Sequence, residues 1–279
     1  VDVIGELSIG VCGWSLDRHD VSQSVTTAVE IDLPVIQLGF FTRDAVECAD
    51  AQAICAKADA CGVTICGAFI AFEGEDYSSI SRIAATGGLR PNDAYAERFR
   101  LTRQVAELAA AVGATSLAMH AATISGDPTD PAYATLSSRV REVADALAER
   151  KLNLVLATGR ESADTLLRFL DAVGRDNIAV NFDPANFIVY GTDDPVGAVS
   201  KLRDRIELVH LKDASRPVRP GVDYGRAAAF GTGDVQIARV VSKLRATGYR
   251  GPLLIECDTR ESGLDAIRNA ADYLRTMLA

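Results

Sequence analysis

The chain has 279 residues and is 48% hydrophobic, which is enough for a large core and typical of a single α/β barrel. Its formal net charge of −9 argues against nucleic acid as a partner, because an acidic chain repels the phosphate backbone. Since the apolar runs are too short to span a membrane and no signal peptide is evident, we expect a cytoplasmic protein without a membrane partner.

Six cysteines are spread over the chain, and no two of them form a CxxC pair. Most of them lie in apolar or helical runs, where cysteine usually serves as a small buried hydrophobic residue. We therefore expect reduced thiols in a cytosolic protein. The residues concerned are Cys12, Cys48, Cys55, Cys61, Cys66 and Cys257.

The first half of the chain alternates between strand-like and helix-like segments. The strands predicted there cover residues 7–14, 35–40, 63–69 and 116–120. The helices predicted there cover residues 21–31, 44–60 and 93–112. The last two helices are followed by Gly62 and Gly113, and glycine favours the left-handed conformation that ends a helix.

The second half continues the alternation. Predicted strands cover residues 152–157 and 252–256, and two more begin at Asn177 and Ile206. Predicted helices cover residues 130–150, 162–173 and 236–247. A last helix places apolar residues at helical spacing, namely Leu264, Ile267, Ala271, Leu274 and Leu278.

The two stretches 177–187 and 206–213 each begin as an apolar run and end in polar groups. In the first, Pro184 biases Asp183 away from helical backbone angles, which predicts that its carboxylate lies at a strand tip. In the second, the two-residue period of a strand puts His210 and Lys212 on one face. That face would line a pocket while the other packs against helices. Asp183 capping a turn and His210 as a core histidine are the alternatives.

Eight strands alternating with helices predict a (β/α)8 TIM barrel of the α/β class, formed by residues 1–279 as one domain. A doubly wound sheet would need a glycine-rich phosphate turn after strand one, and residues 10–14 do not read GxGxxG. Two insertions, 71–92 and 213–234, follow strands and so should lie on the active-site face. The second insertion carries Arg216, Arg219 and Arg226, and we expect it to help cover the site.

Three residues at predicted strand ends are natural ligands for one divalent ion: Asp183, His210 and Glu256. They are far apart in sequence, so only closure of a barrel would bring them together. Their mixed oxygen and nitrogen donors suit Mn, Mg, Zn, Co or Fe(II). Trp14 would form an apolar wall over a sugar ring, and His120 would bind substrate or metal. Core packing is the alternative for both.

Short motifs after the strands identify a family. They are Gly74-Glu75-Asp76-Tyr77, Thr86-Gly87-Gly88, Thr158-Gly159-Arg160-Glu161, Asn181-Phe182-Asp183-Pro184-Ala185-Asn186, His210-Leu211-Lys212-Asp213, Gly231-Thr232-Gly233-Asp234 and Ile255-Glu256. Over nearly the whole chain they resemble the xylose isomerase-like TIM barrels, the sugar phosphate isomerase/epimerase superfamily with an AP endonuclease 2-type barrel. The resemblance implies one divalent ion held by a Glu after strand five, an Asp after strand six, a His after strand seven and a Glu after strand eight.

The chain departs from this pattern at strand five. Relatives typically read Glu-Thr-Gly-Gln-Glu there, whereas this chain reads Ala157-Thr158-Gly159-Arg160-Glu161. The resemblance implies that the strand-five and strand-eight glutamates form the acid/base pair, so Ala157 removes one ligand and one of two catalytic carboxylates. We therefore expect weak or absent metal binding, with Glu161 as the first candidate to fill the gap.

The resemblance implies a sugar or sugar-phosphate isomerase or epimerase that transfers a proton next to a carbonyl with help from a metal ion. We assign catalytic roles to Glu256, His210 and Lys212, with Glu256 as the remaining base. Lys212 would bind a substrate oxygen or phosphate, or else form a salt bridge with Asp213 or with a neighbouring strand. The sugar or polyol substrate is expected to contact Trp14, His120, Asn186 and Arg216.

Other functions fit the same barrel. One base suffices for β-elimination, so a lyase similar to inosose dehydratase is an alternative, as is a barrel that binds a sugar or metabolite without turnover. A nuclease similar to endonuclease IV would need a zinc site rich in histidine, and this chain has only His19, His120 and His210. Barrels of this kind often pair, so a homo-oligomer is also compatible.

Overall fold

Eight parallel strands close into a barrel in the computed structural model, which describes residues 3–4, 7–17, 20–257 and 259–279. The strands are β1 (Leu7–Cys12), β2 (Val35–Phe40), β3 (Thr64–Ile70), β4 (Ser116–Met119), β5 (Asn153–Ala157), β6 (Ile178–Phe182), β7 (Ile206–Leu211) and β8 (Leu253–Ile255). Strand β1 pairs in parallel with both β2 and β8, which closes the sheet. The predicted (β/α)8 barrel is thereby confirmed.

Helices surround the barrel between successive strands. They are α1 (Val21–Glu30), α2 (Arg43–Glu47), α3 (Ala51–Cys61), α4 (Ile80–Thr86), α5 (Tyr95–Ala111), α6 (Pro131–Ala148), α7 (Ala163–Val173), α8 (Pro184–Tyr190), α9 (Pro195–Leu202), α10 (Ile237–Ala246) and α11 (Thr259–Leu278). A short strand, Val3–Ile4, pairs antiparallel with the start of β1. Within the described residues, no helix has the length and apolarity needed to cross a bilayer.

The eight predicted strands agree with the observed ones to within two residues at the bounds that were predicted. The single helix predicted over residues 44–60 is wrong, because the chain forms α2 and α3 there. The Asp50 side chain accepts hydrogen bonds from the backbone N–H groups of Gln52 and Ala53, which starts a second helix. Helices α4, α8 and α9 were not predicted.

The core has two parts. A small cluster fills the inside of the barrel and includes Val35, Val155 and Leu254. A much larger one lies between the strands and the helices and includes Val209 and Leu211 of β7. This division is the normal one for a TIM barrel, and it leaves the carboxyl ends of the strands open for a site. All six cysteines are free thiols.

The loop after β7 is held at its base by Asp213. Short strands Asp213–Ser215 and Arg226–Ala228 pair antiparallel within it. The Asp213 carboxylate accepts hydrogen bonds from the backbone N–H groups of Ala214 at 2.8 Å and of Gly231 and Gly233 at 2.9 Å. A buried carboxylate that collects several N–H donors fixes both ends of the loop against the barrel. Of the two ion pairs considered for Lys212, the one with Asp213 is not formed, because Asp213 is committed to the loop. Lys212 pairs instead with residues at the ends of the neighbouring strands β6 and β8.

Candidate active site

The carboxyl ends of the strands surround a cavity of about 510 Å³. Its wall includes every strand-end residue for which a catalytic or metal-binding role was predicted, together with an aromatic side. The lining residues are Trp14, Phe41, Phe69, Ala71, Phe72, Glu75, Tyr77, His120, Ala157, Asp183, Asn186, Tyr190, His210, Lys212 and Glu256. This volume suits a small-molecule ligand such as a sugar.

Asp183, His210 and Glu256 come together at this mouth. One ligand atom from each lies within 4.8 Å of the other two. The predicted convergence of these three side chains is therefore confirmed, while their roles as metal ligands stay a prediction. His19 lies outside the described residues.

Asp183 is both a helix cap and a cavity residue. Its backbone is extended at φ −114° and ψ 98°, directly before Pro184, the first residue of α8. Its Oδ1 accepts hydrogen bonds from the N–H groups of Ala185 and Asn186 at 3.0 and 3.2 Å. Because these bonds use one oxygen, only Oδ2 is left to face the cavity.

Lys212 bridges the two carboxylates of the centre. Its Nζ lies 2.8 Å from Asp183 Oδ2 and 2.8 Å from Glu256 Oε2. The strand alternation predicted for β7 is confirmed, because His210 and Lys212 line the cavity while Val209 and Leu211 join the outer core.

Burial and the ion pairs set the charge states of this centre. Burial raises the pKa of Asp183. Burial acts to raise the pKa of Glu256 as well, but the charge of Lys212 outweighs it and holds the pKa well below its usual range. For Lys212, burial acts to lower the pKa, but the charges of Asp183 and Glu256 outweigh it and raise the pKa. Lys212 is therefore an ammonium at neutral pH.

The His210 ring is oriented by Gln37 on β2. The Gln37 amide donates from Nε2 to the Ala68 carbonyl at 3.2 Å, which turns its Oε1 towards the ring. His210 Nε2 lies 2.6 Å from that oxygen, and since the oxygen only accepts, Nε2 carries the proton. His210 Nδ1 lies 3.5 Å from Glu256 Oε2. Gln37 gave no signal in the sequence, because a glutamine in an apolar strand has no fixed role.

Trp14 forms part of an aromatic wall with Phe41 and Phe69. Its ring centroid lies 5.4 Å from that of Phe41 and 5.0 Å from that of Phe69. A Cβ added at Gly39 would lie 2.6 Å from the Trp14 ring, so glycine is required for this close approach. Trp14 Nε1 donates to Glu256 Oε1 at 3.2 Å, which links the apolar wall to the centre.

His120 and Asn186 also line the cavity, as expected for substrate contacts. Burial, followed by the positive charge of Arg160, holds the pKa of His120 well below its usual range, so this imidazole is neutral. Asn186 Nδ2 donates to the Thr158 carbonyl at 3.1 Å, which fixes α8 against the end of β5. Their roles in substrate binding stay predictions.

Ala157 lies in the cavity wall beside the centre, and its side chain offers no donor. Glu161, the first candidate to replace the missing carboxylate, does not line the cavity. It is buried, and its Oε2 accepts a hydrogen bond from Ile124 N at 3.3 Å. Burial raises the pKa of Glu161 to about 7. Its position is that of a structural carboxyl group behind the wall.

A second group of polar residues lies on the β3 and β5 side of the cavity, and no role was predicted for it. Glu75 Oε1 accepts from Gly88 N at 2.6 Å, and Glu75 Oε2 accepts from the Tyr77 hydroxyl at 3.1 Å. Arg160 is 5% exposed, and its Nη2 donates to the Tyr77 oxygen at 2.8 Å. Glu75 and Tyr77 both face the cavity. The only signal in the sequence was the family motif that contains them.

The loop 213–234 reaches the rim of the cavity through Tyr224. The Tyr224 ring lies 5.5 Å from that of Tyr190, which lines the cavity. Arg219 pairs with Asp223 within the loop. Arg216 is exposed and lies outside the cavity wall, so its contact with substrate stays a prediction.

The three donors fit a divalent ion in type and in spacing, since two carboxylates and an imidazole converge within 4.8 Å. His210 is also held with the nitrogen that could bind an ion turned to Glu256. The ammonium of Lys212 nevertheless lies against the same two carboxylate oxygens.

Comparison with known proteins gives the same kind of barrel. A family model described as "Xylose isomerase-like TIM barrel" matches residues 25–277. A xylose isomerase domain protein from Planctomyces limnophilus is similar at 30% identity and a TM-score of 0.89, over 98% of this chain and 96% of that one. A xylose isomerase-like TIM barrel protein from Mycobacterium smegmatis in complex with magnesium shares the fold at 15% identity and a TM-score of 0.72, over 99% and 97% of the two chains.

Among curated proteins, inosose dehydratase from Lacticaseibacillus casei is 21% identical over 145 residues. The match covers 47% of this chain and 48% of that protein, so the chain spans about half the length of the curated relative it matches.

Proposed function

The chain belongs to the xylose isomerase-like TIM barrel family, and from that membership we propose that it is a sugar or sugar-phosphate isomerase or epimerase. The observation that carries the proposal is the convergence of Asp183, His210 and Glu256, with Lys212 between the carboxylates, in a cavity of about 510 Å³. An ionised carboxylate beside a fixed cation is what proton abstraction next to a carbonyl requires.

In this proposal Glu256 takes the proton from the carbon beside the substrate carbonyl. The electrons of that C–H bond move towards the carbonyl oxygen, which gains negative charge, and the Lys212 ammonium donates a hydrogen bond to it. For isomerisation the proton returns to the former carbonyl carbon, while the hydroxyl on the deprotonated carbon passes its own proton to the former carbonyl oxygen. For epimerisation the proton returns to the opposite face of the same carbon. Lys212 keeps Glu256 ionised at neutral pH, so its carboxylate is unprotonated when the substrate binds.

A divalent ion bound by Asp183, His210 and Glu256 would supply a Lewis acid for the carbonyl oxygen. With three protein donors and an ammonium on two of them, we expect such an ion to bind weakly. Asp183 and His210 are suited to hold it because the helix cap and Gln37 fix their orientation without any ion.

Proton transfer to two carbons or two faces needs a second acid/base group, which Ala157 does not supply. We assign this group to Glu75, since its carboxylate faces the same cavity and is held by Gly88 N and the Tyr77 hydroxyl. In the proposal Trp14, His120 and Asn186 contact the substrate ring, and Arg216 contacts an anionic substituent when the loop 213–234 covers the site.

A lyase similar to inosose dehydratase is the second candidate. The specific observation in its favour is Ala157, which brings no second carboxylate to the centre beside Glu256, and one base is sufficient for β-elimination of water. Ala157 also fits a non-enzymatic barrel that binds a sugar without converting it.

Hydrogen–deuterium exchange separates these functions. We propose to incubate the protein with ketoses, aldoses and cyclic polyol ketones in D₂O and to follow both exchange beside the carbonyl and product formation by NMR. An isomerase gives exchange with an isomeric sugar, and a lyase gives a dehydrated product. Binding without exchange for every substrate that binds would show a non-catalytic barrel and overturn the proposal.

A further inference from the structure

We infer that the Lys212 ammonium and a divalent ion compete for the same two carboxylate oxygens, and that Ala157 shifts this competition towards lysine. The inference rests on the proposed function in taking Asp183, His210 and Glu256 as the ligand set. It states how the chain itself controls that set.

The first support is the position of the ammonium. Lys212 Nζ lies 2.8 Å from one oxygen of Asp183 and 2.8 Å from one oxygen of Glu256, so it joins the two acidic ligands. An ion at a coordination distance of about 2.0–2.2 Å from both oxygens would occupy the same space and repel the ammonium. The lysine side chain must therefore leave before an ion can be bound by both carboxylates.

The second support is that neither carboxylate has an unused oxygen. Asp183 Oδ1 accepts two backbone N–H groups at the start of α8. Glu256 Oε1 accepts the indole N–H of Trp14 at 3.2 Å. Because the outer oxygens are committed, ion and ammonium depend on the same inner pair, Asp183 Oδ2 and Glu256 Oε2.

The third support is the local charge. Two carboxylates and one ammonium leave the centre with a net charge of −1. A glutamate in place of Ala157 would make that charge −2, and a divalent ion would then bring it to zero even with the lysine nearby. With alanine the same ion leaves an excess of positive charge around Lys212, which opposes binding.

The consequence is a centre that carries its own cation. As long as Lys212 holds that position, a sugar oxygen that enters the cavity meets an N–H donor between the two carboxylates. Affinity for the ion is then governed by Lys212 as much as by the three ligands.

Calorimetric titration of Mn²⁺, without substrate, tests the inference on the wild-type chain and on Lys212→Gln, Lys212→Met and Ala157→Glu. Each variant should bind Mn²⁺ more tightly than the wild type by roughly 10- to 100-fold, the range typical of changes around a metal centre. The double variant A157E/K212Q should bind most tightly. Lys151→Gln, which changes an exposed lysine, is the matched control and should leave the affinity unchanged.

The inference is overturned if both Lys212 variants fold, as judged by thermal unfolding, and bind Mn²⁺ no more tightly than the wild type. A crystal structure of the wild-type chain grown with Mn²⁺ is the independent measurement and needs no variant. An ion on Asp183 and Glu256 with Lys212 Nζ still at both inner oxygens would also overturn it. Since no substrate is present, an absent isomerisation would count against the proposed function and not against this competition.

Discussion

The two walls of the cavity differ in how much of the family pattern they keep. The wall from β6, β7 and β8 presents Asp183, His210 and Glu256 in one centre. The β5 wall presents Ala157, with Arg160 behind it, where relatives typically have glutamate and glutamine. Each member of the first wall is held by a partner of its own: a helix start, Gln37 or Trp14. Side chains fixed in this way keep their arrangement without a fourth carboxylate on β5.

The largest effect should come from a change in the wall formed by β6, β7 and β8. Glu256→Gln removes the proposed base and keeps the side-chain volume, so we expect proton exchange next to the carbonyl to fall by about 10²- to 10⁴-fold, the usual contribution of a positioned base. Exchange rates measured by NMR decide this, with the exposed Glu149→Gln as control. If the variant exchanges at the wild-type rate, Glu256 is not the base, and the base would have to lie on the other wall.

The next prediction concerns Glu161, which lies behind the β5 wall, and tests whether its carboxyl group is structural. Its pKa in the folded protein is about 7, against 4.5 for an exposed glutamate, because of burial. Stability from the buried neutral acid is full below pH 4.5 and is lost as the pH rises through about 7, by at most about 3 kcal/mol. Glu161→Gln should remove this loss, so urea unfolding between pH 5 and 8 should show the variant gaining on the wild type. Parallel pH curves for the two proteins would contradict it.

A third variant tests whether the β3 and β5 side of the cavity takes part in proton transfer. Glu75→Gln removes the proposed second proton-transfer group, so conversion to the isomer should fall by roughly 10- to 100-fold, at the low end of acid/base effects. Exchange at the carbon served by Glu256 should change much less. The ratio of the two rates is the measurement, and equal losses would make Glu75 a residue that only shapes the cavity.

The smallest effect concerns the support of that wall. Tyr77→Phe breaks the path from Arg160 to Glu75 but leaves the ring in place. The loss of one partly exposed hydroxyl should cost about 1 kcal/mol, which is a few-fold change in KM or kcat. Tyr273→Phe, on the surface near Phe230, is the matched control. A change as large as that of Glu75→Gln would make Tyr77 itself the proton donor.

Much of the fold could be predicted from the sequence because buried parallel strands are continuous apolar runs with clear ends. Helices α8 and α9 were missed for a physical reason. Each begins at a proline that follows an aspartate, Pro184 and Pro195. Asp183-Pro184 was predicted as a strand tip, and no element was predicted at Asp194-Pro195. A proline at the first helical position is in fact compatible with the helix, since its missing N–H has no partner there.

The part of the candidate site that lies at the strand ends could be predicted from the sequence. The convergence of Asp183, His210 and Glu256 follows from barrel closure alone. The hydrogen-bond partner of His210 could not be predicted in this way, because Gln37 lies 173 residues away and has no distinctive sequence pattern. The position of Lys212 between two carboxylates depends on how a long side chain bends, which strand periodicity does not determine.

The anchoring of the β7 loop by Asp213 has a consequence for how this barrel can acquire new specificity. Both ends of the loop are tied to one buried carboxylate, while residues 218–222 form its exposed arc. Insertions, deletions or randomised libraries confined to that arc would alter what the rim admits without shifting β7, and so without shifting His210 or Lys212. Sequence changes in this segment, whether natural or selected in the laboratory, would thus leave the residues of the centre in place, because Asp213 anchors the loop between them.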